Sequence, residues 1–145
     1  MLSRLQRLKS AARWRPRRAA LQERQAQEDE LLQLARLSFL RLQAAWDSAD
    51  LTAMQPLATT TLLADLRHQL VLRGPGPNRT EVLQLSARLL SIDDLQEAWL
   101  ASVEFSGYIR EDHACDAAPF RELWMLASIK SAGSGWKLAR VQALC

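Results

Sequence analysis

Residues 99–109, WLASVEFSGYI, alternate between apolar and polar side chains. The apolar positions are Trp99, Ala101, Val103, Phe105 and Ile109. The polar face consists of Ser102, Glu104, Ser106 and Tyr108. A period of two is typical of an antiparallel strand that buries one face and exposes the other. The stretch therefore predicts a half-buried antiparallel strand.

The flanking sequence predicts a four-stranded antiparallel sheet around this strand. Residues 81–92 alternate through Leu83, Leu85, Ala87 and Leu89, and DDLQE (93–97) has the character of a hairpin connection. Residues 119–129 are apolar on both faces, which predicts a central strand. The turn-forming residues AGSG (132–135) lead into a fourth strand over residues 136–144.

Before Thr80 the apolar residues follow a helical period instead. A helix over about residues 20–48 has the clearest amphipathic stripe: Leu32, Ala35, Phe39, Leu42 and Trp46. A helix over 60–73 is predicted with Thr59 or Thr60 as its cap. A short helix over 2–14 is expected to end at Pro16, which lacks the N–H that a helix needs. Helices followed by a meander predict an α+β fold, with amino-terminal helices packed on the sheet.

Charge is distributed unevenly along the 145 residues. The net charge is +3, but residues 1–18 hold seven of the 19 basic residues and no acidic one. The remaining 12 basic residues face 16 acidic ones, so the body is mildly acidic. Because a nucleic-acid-binding fold carries its basic patch on the fold itself, nucleic acid is not expected as a partner. We divide the chain into a basic helical extension, 1–30, and an α+β domain, 31–145.

The basic extension has four interpretations. It is a solvated tail, an interfacial helix on anionic lipid, a mitochondrial transit peptide or a nucleic-acid arm. No window approaches the roughly twenty apolar residues that span a bilayer. The candidate membrane contacts are basic residues with a few apolar neighbours: Leu2, Arg4, Leu5, Arg7, Leu8, Lys9, Arg13, Trp14, Arg15, Arg17 and Arg18.

The sequence contains few residue patterns that are typical of catalytic, metal or cofactor sites. There is no phosphate-binding glycine loop, paired-carboxylate motif or Ser/His/Asp order, and no cofactor is expected. The cluster EDHACD (111–116) contains residue types that bind zinc, but the sequence has no second group of ligands at zinc-site spacing. The cluster is therefore interpreted as a loop and not as a metal site. Cys115 and Cys145 allow a disulfide but do not require one. Glu122 is in step with Phe120 and Trp124, and if that face is buried we expect Arg88 or Arg110 to neutralise it.

Five segments in order resemble the Tim-forty-four-like domain, the carboxy-terminal domain of the mitochondrial inner-membrane import subunit, and the bacterial branch of that family most closely. They are FLRLQAAWDSADL (39–51), LRHQLVLRGPGPNRTEV (66–82), ASVEFSGYIRED (101–112), PFRELWML (119–126) and GWKLARVQAL (135–144). The resemblance implies a cone-shaped, nuclear-transport-factor-two-like fold with a large apolar pocket. It also implies a peripheral, lipid-associated role at a membrane that contains cardiolipin.

From the resemblance and the basic extension we expect a non-enzymatic accessory protein that binds lipid or an apolar protein segment, in protein or lipid transport. The expected location is the cytoplasmic face of a bacterial inner membrane, with the mitochondrial matrix side as the alternative. A small-molecule enzyme that uses Glu122 or a histidine as base, and a soluble adaptor, remain open. The residues expected at the pocket are Phe39, Trp46, Leu66, Leu70, Trp99, Phe105, Phe120, Glu122, Trp124 and Trp136.

Overall fold

A computed structural model describes residues 4–74, 78–112 and 116–144, with side chains from Arg18 onward. Helices come first and strands follow, which confirms the α+β fold with amino-terminal helices on a four-stranded antiparallel sheet. The elements are α1 (Arg4–Asp47), α2 (Leu51–Met54), α3 (Thr60–Arg73), β1 (Thr80–Asp94), β2 (Ala98–Glu111), β3 (Ala118–Ile129) and β4 (Trp136–Ala143).

The sheet is a meander in the order β1-β2-β3-β4, and every neighbouring pair is antiparallel. β3 lies between β2 and β4, as its two apolar faces predicted. The outer edge of β4 is covered by the connection that precedes α3. The Thr59 N–H donates to the Leu138 carbonyl at 2.9 Å, and the Leu138 N–H donates to the Leu57 carbonyl at 2.8 Å. β1 forms the other edge of the sheet, which is therefore open and not closed into a barrel.

One face of the sheet packs against the helices and forms the core. Ala101, Val103 and Phe105 on β2 have no exposed surface, which confirms the face predicted from their alternation. α1 and α3 cover this face with residues at helical spacing, because side chains three and four positions apart share one side of a helix. The buried helical residues are Leu31, Ala35, Phe39, Leu42 and Ala45 on α1 and Leu62, Leu66 and Leu70 on α3.

Short polar side chains set the ends of the helices. The Thr59 hydroxyl accepts the Leu62 N–H at 3.3 Å and caps α3, while the Asp50 carboxylate caps α2. Asp47 ends α1 and also anchors β1, because its carboxylate accepts the Thr80 N–H at 2.7 Å and the Thr80 hydroxyl at 3.0 Å. The end of the long helix is thereby tied to the start of the sheet.

Two predictions about local structure were wrong. α1 is one continuous helix of 44 residues and does not stop at Pro16. A proline removes one helical hydrogen bond, and the surrounding alanine, arginine, leucine and glutamine residues favour the helix strongly enough to continue through it. Leu83 is 44% exposed instead of sharing the inner face with Leu85. A register shift between Val82 and Gln84 reverses the alternation at that point.

Candidate functional site

Four aromatic rings fill the centre of the molecule between α1 and the sheet. The centroid of Phe39 lies 4.9 Å from that of Phe105, 5.5 Å from that of Phe120 and 5.2 Å from that of Trp124. Phe105 and Trp124 meet edge to face at 5.1 Å. Phe39 and Phe105 are almost completely buried. These two predicted pocket residues are therefore part of the packed core.

A pocket opens beside this cluster, and we call it the Glu122 pocket. It lies between the second half of α1, α3 and the inner face of β3 and β4, and its volume is about 270 Å³. Its walls are apolar side chains with two glutamines and one carboxyl group. The lining residues are Leu42, Gln43, Trp46, Leu62, Leu66, Gln69, Glu122, Trp124 and Val141.

The position of Glu122 follows from strand alternation. Glu122 is two residues from Phe120 and from Trp124, so all three project from the inner face of β3. Its neighbours across the sheet are Phe105 on β2 and Ala143 on β4. The small side chain of Ala143 leaves space beside the carboxyl group, so the aromatic cluster bounds Glu122 on one side and the pocket on the other.

The Glu122 carboxyl group is held in an apolar environment. Burial raises its pKa above the ordinary value, and a hydrogen bond from the Trp124 indole N–H, at 3.3 Å, opposes this with a smaller effect. Within the described part of the chain, no lysine or arginine forms an ion pair with it. Among the described residues, the hydrogen bond shown to the Glu122 carboxyl group is therefore the one from the Trp124 indole N–H.

The prediction that Arg88 or Arg110 would neutralise Glu122 was wrong. Arg88 lies opposite Glu104 on the outer face of the sheet and pairs with it at 3.0 Å. Arg110 pairs with Glu81 at 3.2 Å. Neither arginine reaches Glu122, because a strand residue one position out of step projects from the opposite face.

Two further predicted pocket residues, Trp99 and Trp136, lie at the other end of the sheet. They line a cleft of about 480 Å³ at the point where α1 leaves the sheet. Trp99 is 40% exposed and has the Lys130 ammonium 4.6 Å from its ring centroid. Lys130 also forms an ion pair with Asp94. Leu31 and Leu34 of α1 also line this cleft.

The residues predicted to line one pocket therefore lie in several different parts of the molecule. Trp46, Leu66, Glu122 and Trp124 line the Glu122 pocket, while Leu70 lines an open groove with Leu51 and Val71. Leu42, Gln43, Leu62, Gln69 and Val141 were not predicted to line a pocket. A sequence signal existed for the helical residues, because 62, 66 and 69 on α3 step by four and three.

The predicted membrane contacts all fall on the start of α1 or before it. The helix begins at Arg4, and among these candidates only the side chain of Arg18 is described; it is exposed. Leu2 lies outside the described residues, as do the side chains of the other candidates. Residues 18–27 are exposed, and from Arg18 onward Leu31 is the first buried residue of α1. No helix in the described ranges is both long enough and apolar enough to span a membrane.

The EDHACD cluster contributes little that the structure describes. The Asp112 carboxylate accepts the Arg79 N–H at 3.0 Å, and the Asp112 N–H donates to the Arg79 carbonyl at 2.7 Å. Asp112 therefore closes the open end of the β1–β2 pair. His113, Cys115 and Cys145 lie outside the described residues, and no metal-binding group of side chains is found among those described.

A comparison with models of known protein families and with curated proteins found no match to this chain.

Proposed function

We propose that this chain is a non-enzymatic accessory protein of the Tim-forty-four-like kind, attached peripherally to an anionic membrane by the basic start of α1. Its body holds a ligand, lipid or apolar protein segment in a pocket between the helices and the sheet. We further propose a cone-shaped, nuclear-transport-factor-two-like body and a role in protein or lipid transport. The proposed location is the cytoplasmic face of a bacterial inner membrane, with the mitochondrial matrix side as the alternative.

The observation that carries the membrane proposal is the continuity of α1. The same helix that packs Leu31, Phe39 and Leu42 into the core begins at Arg4, within the basic segment. At 1.5 Å per residue, the part of α1 ahead of Leu31 is about 40 Å long. Residues 18–27 are exposed, so the body leaves this part of the helix accessible. A helical arm of this kind can present the basic residues to a surface while the body remains outside it.

The charge balance favours an anionic surface as the partner. Residues 1–18 have seven positive charges and no negative charge. A lysine or arginine near an anionic bilayer contributes about 1 kcal/mol to binding, so the segment can hold a peripheral protein. Salt screens this attraction beyond about 10 Å at 0.1 M, so the binding is expected to weaken steeply with ionic strength.

The test is co-sedimentation of the protein with vesicles. We expect the intact chain to sediment with cardiolipin-containing vesicles at low salt, and not with neutral vesicles or at high salt. A chain without residues 1–18 should stay in the supernatant. If the intact and shortened chains behave alike, the proposal is wrong.

A matched pair of variants separates the position of the charges from their number. Arg15→Gln with Arg17→Gln removes two charges from the arm, and Arg36→Gln with Arg41→Gln removes two exposed charges from the same helix beside the body. The arm variant should bind about 30-fold more weakly, since two charges contribute about 2 kcal/mol. The body variant should bind like the unchanged chain. Equal losses in both variants would contradict attachment through the arm.

A second candidate function, a small-molecule enzyme, is favoured by the raised pKa of Glu122 in its pocket. A general base needs such a pKa together with a second group that completes the reaction. Glu122 is the only acidic or basic side chain among the described residues that line the pocket. His68 is exposed on α3 and does not line it. This composition supports ligand binding over acid–base chemistry.

A further inference from the structure

The Glu122 pocket combines features that together specify a ligand. It places one carboxyl group between indole and aliphatic walls, with Gln43 and Gln69 as additional polar groups. Trp46 and Trp124 contribute two aromatic side chains to the lining. Small-molecule sites typically have this composition, with a mainly apolar surface and a few polar groups that orient the ligand.

The Glu122 carboxyl group lines this pocket without a positively charged partner among the described residues. Glu104, on the outer face of the same sheet, has two arginine partners, whereas Glu122 accepts one hydrogen bond from an indole. Each carboxylate oxygen can accept more than one hydrogen bond, so Glu122 retains acceptor capacity toward the pocket. Glu122 is partly buried, and a charge withdrawn from water is costly without a partner, so a cationic ligand would gain by providing an opposite charge.

One aromatic wall of the pocket already interacts with a cation of the protein. Tryptophan rings attract cations through the negative potential of the ring face. Trp46 already has this interaction with the Arg73 guanidinium, which lies 5.3 Å from its ring centroid and also donates to the Trp46 carbonyl. Arg73 is not among the residues that line the pocket. Among the residues that the structure describes, Arg73 forms no ion pair with Glu122.

The volume limits the size of the ligand. At about 270 Å³ the pocket is close to the lower end of the roughly 300–1,000 Å³ range of small-molecule sites. A lipid or a protein segment can place only a part in this space, while a single ring or a short alkyl group fits it entirely. The amide oxygens of Gln43 and Gln69 can accept hydrogen bonds, which suits an ammonium group that has N–H donors.

We propose that the Glu122 pocket binds a small primary amine with an apolar body, with the ammonium group paired to Glu122 and the apolar part against Trp46, Leu62 and Leu66. This inference rests on the pocket of the proposed function and not on the membrane arm.

The test compares three probes of equal size and different charge: benzylamine, benzyl alcohol and benzoate. Binding to the intact chain is followed by two-dimensional NMR through the indole N–H signals of Trp46 and Trp124, without vesicles present. Benzylamine should bind at least about tenfold more tightly than benzyl alcohol, because a hydrogen bond between charged groups replaces one to a neutral group. Benzoate should not bind measurably. Equal affinities for the amine and the alcohol would overturn the proposal.

Two isosteric variants locate the charge. Glu122→Gln keeps the size of the side chain and an oxygen that accepts the Trp124 indole N–H, but removes the charge. It should reduce benzylamine affinity to that of benzyl alcohol. Glu104→Gln, on the opposite face, should leave it unchanged. If Glu122→Gln binds the amine as tightly as the unchanged chain, the proposal is wrong. Because the probe series uses the unaltered protein, it decides the question even if a variant fails to fold.

The outcomes are independent of the membrane experiment. Failure of benzylamine to bind would remove the proposed ligand class and leave vesicle binding by α1 unaffected. Failure of vesicle binding would remove the proposed attachment and leave the pocket result standing. Recovery of the amine chemically unchanged after long incubation would support binding, whereas conversion would overturn a binding role in favour of an enzyme.

Discussion

Glu104 and Glu122 are the same residue type on neighbouring strands of one sheet, but their surroundings are opposite. In the register of β2 and β3, Glu104 lies opposite Leu123 and Phe105 lies opposite Glu122. The two glutamates are therefore offset by one residue position and project from opposite faces of the sheet. Glu104 lies on the outer face between Arg88 at 3.0 Å and Arg121 at 3.2 Å. Glu122 lies on the inner face against an indole.

The pKa values of the two groups move in opposite directions. The hydrogen bond from Arg88 is the largest effect on Glu104, and together with the positive charges of both arginines it lowers the pKa although burial opposes it. Burial is the largest effect on Glu122 and raises its pKa. The negative charge of Glu104 is already balanced by two arginine partners. The inner carboxyl group is the one still able to take a cation, which is why the comparison directs attention to the pocket.

The largest expected effect comes from removing Phe39, the centre of the aromatic cluster on the inner face beside Glu122. Phe39 contacts Phe105, Phe120 and Trp124 and is 1% exposed. Phe39→Ala should lower the free energy of unfolding by about 3–5 kcal/mol, because it removes buried apolar surface and leaves a cavity. It should also bring the pKa of Glu122 closer to its ordinary value by admitting water. Chemical denaturation measures the first effect.

The control for this prediction is Leu37→Ala, on the same helix. Leu37 is 47% exposed, so its removal should change the free energy of unfolding by less than about 0.5 kcal/mol. Equal losses from both substitutions would show that the aromatic cluster is not the main support of the inner layer.

A smaller effect is expected from removing the single partner of Glu122. Trp124→Phe keeps an aromatic ring but eliminates the indole N–H that donates to the carboxyl group. Since this hydrogen bond lowers the pKa of Glu122, its loss should raise that pKa further. Stability should fall by about 1 kcal/mol, the usual net contribution of one hydrogen bond, because the acceptor is only partly buried. Carboxyl-carbon NMR over a pH series measures the pKa, and an unchanged value would contradict the assigned contact.

The smallest expected effect is a difference in pH dependence between Glu122→Gln and Glu104→Gln. For Glu122 the folded-state pKa is raised, so the folded state binds more protons and the contribution of this group falls as pH rises through that pKa. Glu122→Gln should remove this loss and increase stability at neutral pH relative to the unchanged chain.

For Glu104 the sign is reversed. Its folded-state pKa is lowered, so its contribution is present above the unfolded value and is lost as pH falls through the folded value. Glu104→Gln should therefore reduce stability at neutral pH and make little difference in acid. Thermal unfolding of both variants from pH 3 to pH 8 measures the two slopes. Slopes of the same sign would contradict the opposite environments of the two groups.

Much of the fold was predictable because the relevant signals are local. The alternation around Phe105 predicted the inner face of β2, and Thr59 with its following leucines predicted α3 at Thr60–Arg73. The continuation of α1 through Pro16 and the register shift near Leu83 were not predicted. Propensity and periodicity describe an average over several residues, whereas a proline inside a helix and a bulge depend on whether the surroundings tolerate one exceptional position.

The candidate site was predictable only in part. Sequence alternation placed Glu122 beside Trp124 on one face, and helical spacing placed Leu62, Leu66 and Gln69 on one side of α3. It did not indicate that Trp99 and Trp136 would line a separate cleft at the far end of the sheet. That separation depends on where along the strands each residue lies relative to the helices, which local periodicity does not contain.

By itself, the sequence determined the order of helices and strands, the buried face at the centre of β2 and the concentration of positive charge in residues 1–18. These properties arise within single segments, from spacing and composition. Only the tertiary structure decided that two arginines neutralise Glu104 while Glu122 meets an indole and a pocket. Cross-strand register and the placement of α1 and α3 decide which charges meet, because electrostatic partners are set by contacts between residues distant along the chain.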